Sequence, residues 1–329
     1  MEFTICKIKP RGSFHLGEKE MVLEKTSNYI HSDTLFSAIC NAYRLFYGNE
    51  ELKKVLNLFE GREPPFLISS AFPYIDEILL FPIPKNTDFG DYTKDKKFRK
   101  VEFVSRTIFE RITGGEDIKE HIIGENLVQG NHVLVTSKER TKLSTDKIWT
   151  IKEVPRVVID RKTSASNIYH FGEIAFADNC GLYFLMDLRM KEYEKKVEAA
   201  IRVLGDEGIG GDRTYGKGLF KADFKEVKMD LEPKDHFVTL SLYHPREEEV
   251  SILQNGYYEL INRGGWIYSI EAKNKRRKTV RMLLEGSVFN APTGLEVYGG
   301  LASVKPKGFR DHEVYRYGYA FAVPMEVGE

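Results

Sequence analysis

The chain has 329 residues, 42% hydrophobic and 12% aromatic, ample for a large core and suggestive of two domains. Lys+Arg and Asp+Glu both number 49, so the formal charge is zero; a uniformly basic coat is excluded, and any nucleic-acid contact must concentrate its positive charge on one face. Cys6, Cys40 and Cys180 form no C-x-x-C pair, which argues against a disulfide scaffold or a zinc site, and no apolar run reaches membrane-spanning length. With no secretory leader evident, a cytoplasmic location without a membrane partner is expected, and no cofactor or metal site.

Glu2 to Lys9 reads as a first strand, broken by the turn Pro10 to Gly17, which carries Arg11, Ser13 and His15. His31-Ser32-Asp33-Thr34 precedes a helix with an apolar face of Leu35, Phe36, Ile39, Ala42, Tyr43 and Phe46, and Ser32 or Asp33 is the expected cap. Gly48 ends it. Pro65 to Phe72 and Glu77 to Pro82 read as strands joined by a short turn. From Lys85 to about Ser166 the chain is basic and polar, with short apolar runs; that much irregular sequence inside one domain implies a functional insertion. Pro155 to Ile159 is a strand ending in Asp160-Arg161-Lys162-Thr163, where Arg161 offers a bidentate fork for phosphate and Thr163 a hydroxyl.

Gly181 to Leu188 reads as another strand. Met190, Tyr193, Val197, Ala200, Ile201 and Leu204 then recur at helical spacing, with Gly205 as the stop. Counting Gly205, six glycines lie from there to Gly218, interleaved with Arg213, Thr214, Tyr215 and Lys217. Glycine permits positive φ and close backbone approach. Exposed amides beside two cations suit phosphate oxygens. Gly211 to Gly218 nearly spells a Walker A loop, but Gly218 stands where Ser or Thr would hold magnesium, and a helix enters where a strand should. Phe220, Ala222 and Phe224 then alternate with polar residues as a strand. Phe224 to Lys234, with Met229-Asp230-Leu231-Glu232-Pro233 inside it, reads as a linker, His236 to Tyr243 as a strand, and Gly265–Ile270 with Thr279–Leu284 as a hairpin around the basic turn Lys273 to Lys278.

A glycine loop leaving the second helix of a β-α-β-β-α-β unit resembles the signature of the RAMP superfamily of CRISPR proteins. The helix Ser32-Asp33-Thr34-Leu35-Phe36-Ser37-Ala38-Ile39 resembles the first helix of its Csm-type members. Ile159-Asp160-Arg161-Lys162-Thr163 is similar to the Ile-Asp-Arg-x-Thr segment of the Cas-five-like group, as are Glu285 to Phe289 and Val314 to Phe321 to its C-terminal domain. The resemblance implies an α+β fold of two ferredoxin-like (RRM-like) domains. Residues 1–230 would carry the glycine-rich loop 205–218 and a long thumb insertion at about 85–166, and residues 231–329 would form the second domain. It further implies a non-catalytic RNA-binding subunit of a type III-A CRISPR effector, engaging the 5′ handle of the CRISPR RNA, the large polymerase-like subunit and the backbone RAMP subunit. The expected RNA contacts are Lys9, Arg11, Ser13, His31, Arg161, Thr163, Arg213, Thr214, Tyr215 and Lys217, with Gly208, Gly210, Gly211, Gly216 and Gly218 shaping the cradle. Two alternatives accompany this reading. A RAMP endoribonuclease processing precursor RNA would use His15 or His31 as general acid/base. A stand-alone RRM-like protein would need a Lys/Arg-Gly-aromatic strand string that is not found.

Overall fold

The computed structural model describes residues 2–17, 24–90, 95–228, 232–269, 275–291 and 295–327. Lys94 of the basic stretch, Met229 to Leu231 of the linker, and Ile270, Lys273 and Asn274 of the C-terminal hairpin lie outside them.

The chain opens with β1 (Glu2–Pro10), α1 (Ser32–Tyr47) and α2 (Asn49–Glu60). Four short strands follow, β2 (Phe66–Ile68), β3 (Phe72–Ile75), β4 (Ile78–Pro82) and β5 (Phe103–Ser105). Next come α3 (Arg106–Thr113), β6 (Leu127–Val128), β7 (Val133–Leu134) and α4 (Ser137–Arg140). The long strands β8 (Trp149–Ile159) and β9 (Ser166–Phe176) precede β10 (Cys180–Leu188), α5 (Glu194–Glu207) and β11 (Phe220–Lys228).

In the main sheet β11, β1, β10 and β3 lie side by side, all antiparallel. With α1 after β1 and α5 after β10, this is the β-α-β-β-α-β ferredoxin-like arrangement. Leu182 to Met186 is a continuous apolar run because β10 is central and buried on both faces. The two helices pack on each other, and Leu35, Phe36 and Ile39 of α1 share one buried cluster with Val197, Ile201 and Leu204 of α5. Beyond β3 the sheet continues through β4, β5, β7 and β6.

Several expectations change. The stretch 85–166 is not irregular: its first half extends the main sheet, and its second half begins a separate two-stranded arm, β8–β9, paired over eleven positions. Strands of two or three residues are too short to show a period-2 pattern, so the sheet extension leaves little trace in the sequence. The run Pro65 to Phe72 splits at Ser69–Ser70, whose hydroxyls accept the amides of Leu185 and Ser32, both at 2.8 Å. A second helix, α2, starts immediately after Gly48 (φ 85°). Helix α5 runs past Gly205 to Glu207 and is capped at Gly208. Gly205 is small for another reason, since a Cβ there would lie 2.5 Å from the Phe220 carbonyl oxygen.

The C-terminal unit contains β12 (His236–Thr239), β13 (Leu260–Arg263), β14 (Val280–Leu283) and β15 (Val288–Asn290). It ends with β16 (Gly299–Ser303), β17 (Tyr315–Tyr319) and β18 (Ala322–Met325). They form the sheet β15-β12-β18 and the pairs β13–β14 and β16–β17; among the described residues of this unit the helical share is the 3-10 run Glu247–Asn255. The expected hairpin is displaced, since β14 pairs with Leu260–Arg263, and among the described residues the Trp266 segment joins through the bridge Trp266–Arg276. The chain halves share one core. Tyr317 of β17 stacks 4.8 Å from Phe36, and Tyr319 lies 5.7 Å from Phe59, centroid to centroid.

That junction also holds a buried ion cluster. Asp33 and Ser32 do not cap α1; His31 takes the N-cap position, without a side-chain cap bond. Asp33 is fully buried and accepts Nε and Nη2 of Arg263, each at 2.9 Å, and Nη1 of Arg316 at 2.7 Å. Burial alone would raise its pKa, but the two guanidiniums hold the carboxyl well below its ordinary value. The three cysteines are unpaired, and burial pushes the thiols up, Cys40 and Cys180 to about 12. Among the described residues no helix is long and apolar enough to cross a membrane.

Candidate nucleic-acid interface

Three pieces of chain meet at the glycine loop. The turn 11–17 lies in the middle. On one side it pairs with the base of the arm, where Phe14 and Ile174 exchange amide–carbonyl bonds of 2.8 and 2.9 Å. On the other it binds the loop, whose Gly211 and Gly218 amides donate to the carbonyls of His15 and Ser13, both at 2.9 Å. Glycine is required where this packing is tightest. Gly210 has φ 95°, and a Cβ there would sit 2.3 Å from the His15 carbonyl oxygen; at Gly218 (φ 75°) it would sit 2.0 Å from that of Ile209.

This geometry corrects the notion of a loop of exposed amides. The N–H groups of Gly208, Ile209, Gly211, Tyr215, Gly216, Lys217 and Gly218 all donate within the protein. Internal hydrogen bonding, with Asp212 and Gly216 in the left-handed region, fixes the loop's shape before any ligand arrives. What it presents outward is side chains: Thr214 is exposed, and Tyr215 is 74% exposed.

Three of the cations are held by carboxylates. Lys217 Nζ donates to Ser13 Oγ at 2.8 Å and Glu173 Oε2 at 2.7 Å. Arg11 pairs with Asp206 at 2.7 Å and Lys9 with Asp223 at 2.7 Å, both near the surface. Arg213 lies over the Tyr268 ring, 4.5 Å from its centroid. Arg161 and Thr163 are not brought to this cluster. They are exposed in the turn at the far end of the arm, where Asp160 Oδ1 accepts the amides of Lys162 and Thr163 at 2.8 Å. Arg156, which touches the loop, lies on β8, and the strand runs about 10 Å further, to Ile159, before the turn that holds Arg161.

Both histidines are occupied. His15 is buried, its Nδ1 2.7 Å from the Gly172 carbonyl and its ring 4.1 Å from that of Phe171. His31 Nδ1 contacts Glu285 Oε1 at 2.9 Å, and Glu285 also accepts the Ser70 hydroxyl. Burial would raise the Glu285 pKa, but His31 and Ser70 outweigh it and hold the carboxyl below its ordinary value. His31 thus lies at the junction between the chain halves.

Sequence reasoning missed the residues that tie the arm to the loop. Arg156 pairs with Asp212, contacts Glu173 at 3.5 Å and lies over the rings of Phe171 and Tyr215, at 4.3 and 5.2 Å. The signal for Glu173 was present: a lone carboxylate inside Phe171-Gly172-Glu173-Ile174-Ala175-Phe176 needs a buried cation. Arg156 and Asp212 gave no such signal, because their partners lie dozens of residues away.

Comparison with known proteins fits this geometry. A family profile described as the RAMP superfamily matches residues 7–221, and one described as the CRISPR Csm4 C-terminal domain matches residues 232–325. The chain is 29% identical over 342 residues to "CRISPR system Cms protein Csm4" of Thermococcus onnurineus, covering 100% of this chain and 98% of that protein. It is 28% identical over 381 residues to the protein of the same name from Methanocaldococcus jannaschii, covering 99% and 98%. A chain of the Csm3-Csm4 subcomplex in the type III-A CRISPR-Cas interference complex superposes with a TM-score of 0.72 at 24% identity, over 99% of this chain and 100% of that one. A chain of the Csm1-Csm4 cassette in complex with cA4 gives 0.63 at 24% identity, over 100% of both. At that identity these likenesses speak for the fold.

Proposed function

The chain belongs to the RAMP superfamily, and from that membership we propose that it is the Csm4-type subunit of a type III-A CRISPR effector. In this role it binds the 5′ handle of the guide RNA, contacts a backbone RAMP subunit and docks a large polymerase-like subunit, without cutting RNA itself. The observation that carries the reading is the pre-shaped glycine loop at the end of α5, presenting Thr214 and Tyr215 outward, with Arg213 half-buried against Tyr268, beside a two-stranded arm. The full-length similarity to proteins named Csm4 supports it, and the solved relatives pair such a protein with Csm3 and with Csm1. The non-catalytic part rests on His15 and His31, whose contacts to Gly172 and Glu285 give them structural work rather than a reacting proton.

The roles divide by position. Arg213, Thr214, Tyr215 and Lys217 face the handle, Lys9, Arg11 and Ser13 line or brace its approach, and Arg161 and Thr163 act from the tip of the arm; His31 acts only indirectly, by holding the junction through Glu285. Gly208, Gly210, Gly211, Gly216 and Gly218 set the loop's path. Each phosphate that a protein cation neutralises on a single strand adds about 0.7 to the steepness with which log affinity falls against log salt. Replacing Arg213 and Lys217 together by Ala is therefore expected to flatten that slope for handle RNA by about 0.7 for every phosphate the pair engages. An unchanged slope removes both residues from the phosphate-binding group.

A further inference from the structure

A second cationic surface begins where the glycine loop ends. Between Gly208–Gly211, the outer side of α1 and the Trp266 to Ser269 segment lies a cavity of about 770 Å³. Arg44, Arg213, Arg277 and Arg316 line it, against Glu207 as the one carboxylate among its described lining residues. Part of that positive charge is answered from behind, since Asp33 binds Arg316 and Arg263. Arg277 is not covered in this way: its Nε has no hydrogen-bond partner among the described residues. Burial, and then the neighbouring Arg316, lower its pKa to about 10, which still leaves it charged at neutral pH.

Two flat rings stand at the rim. Trp266 is 54% and Tyr268 62% exposed, large fractions for an indole and a phenol. Each has a guanidinium against it, Arg276 at 4.9 Å from the Trp266 centroid and Arg213 at 4.5 Å from that of Tyr268. Half-exposed aromatics alternating with guanidiniums, in a groove nearly without carboxylates, match what single-stranded nucleic acid needs: a stacking surface for bases and cations for the backbone between them. A protein partner would instead have to bring its own acidic patch to this charge.

We infer that this groove carries single-stranded RNA onward from the glycine loop, with bases stacked on Trp266 and Tyr268 and a backbone phosphate at Arg277. The inference rests on the RNA-binding reading above and extends it to the C-terminal unit, so the RNA path bridges both halves of the chain.

Trp266 supplies its own reporter. The chain has two tryptophans, and Trp149 is buried. In a Trp149→Phe background of the full chain, titration with a single-stranded oligoadenylate RNA is expected to quench the Trp266 emission. Trp266→Ala with Tyr268→Ala should weaken binding of the same RNA by at least about fivefold, the lower limit for losing even one stacked base. Both rings are mostly exposed, so this variant leaves the core intact. Arg277→Gln should weaken binding and flatten its salt dependence, and Arg277→Lys should recover part of both. Undiminished RNA affinity in the aromatic variant, without quenching in the reporter chain, overturns the groove and leaves RNA binding at the glycine loop standing. RNA binding retained while association with the large subunit is lost assigns the groove to a protein and also overturns the inference. Absence of RNA binding by the unsubstituted chain overturns both this inference and the function it rests on.

Discussion

Asp33→Asn is expected to destabilise the protein by roughly 3–5 kcal/mol, the usual cost of removing one partner from a buried ion cluster. The carboxylate is fully buried and receives three charge-assisted hydrogen bonds from Arg263 and Arg316. An amide in its place deprives two buried guanidiniums of the carboxylate that binds both, and both belong to the C-terminal unit. The loss therefore falls on the junction between the halves rather than on α1 alone. The pH dependence follows the same group. The folded-state pKa of Asp33 is held below the unfolded value, so its contribution is complete above the ordinary carboxylate range and is lost as pH falls below about 4. Urea unfolding of both proteins at neutral pH and at about pH 3 checks this. The gap between them should be large at neutral pH and shrink in acid. A neutral-pH difference under about 1 kcal/mol would mean that the cluster contributes little net stability.

Gly210→Ala is expected to displace the loop and cost at least about tenfold in affinity for handle RNA. A non-glycine residue held at φ 95° costs about 1–3 kcal/mol by itself. Its Cβ would also have to share space with the His15 carbonyl oxygen, 2.3 Å away, and backbone cannot swing aside as a side chain can. Relief requires breaking the Gly211–His15 hydrogen bond, which carries Arg213 and Tyr215 away from the arm. Gly216→Ala is the matched control: its φ is 75°, but a Cβ there meets nothing within 4 Å. It should cost only the conformational part, with RNA affinity nearly kept. Equal effects from the two substitutions would show that conformational freedom, not close packing against the turn 11–17, selects glycine in this loop.

Much of this fold is legible in the sequence because its strongest signals are local. The apolar spacing of α1 and α5, the alternation in β11 and the unbroken run of β10 each report their own burial. The missing cap at Asp33 and the split at Ser69–Ser70 escape that reading, since each is decided by distant partners: Arg263 and Arg316, or Leu185 and Ser32. The candidate site divides the same way. The glycine cluster announces a tight loop, and Gly210 and Gly218 are tight because of backbone they touch. Which face of the loop is available could not be read, because the amides are taken up by Ser13, His15 and the loop itself. The Arg156–Asp212 pair joins residues 56 positions apart and leaves no local pattern, while Glu173 stands out in its apolar run without showing that its partner is Lys217, 44 positions away. Asp33 reads from sequence as an ordinary cap; only the arrival of Arg263 and Arg316 in three dimensions makes it a junction residue.

The central claim, that this chain holds the defined front end of a guide RNA, meets its most direct test in the RNA recovered with the protein when it is expressed together with its CRISPR locus. Sequencing the 5′ ends of that RNA should show one invariant short leader ahead of varied guide sequences, and the leader should be depleted from the Gly210→Ala protein. Scattered 5′ ends, or the same leader carried equally by the substituted loop, would contradict the account.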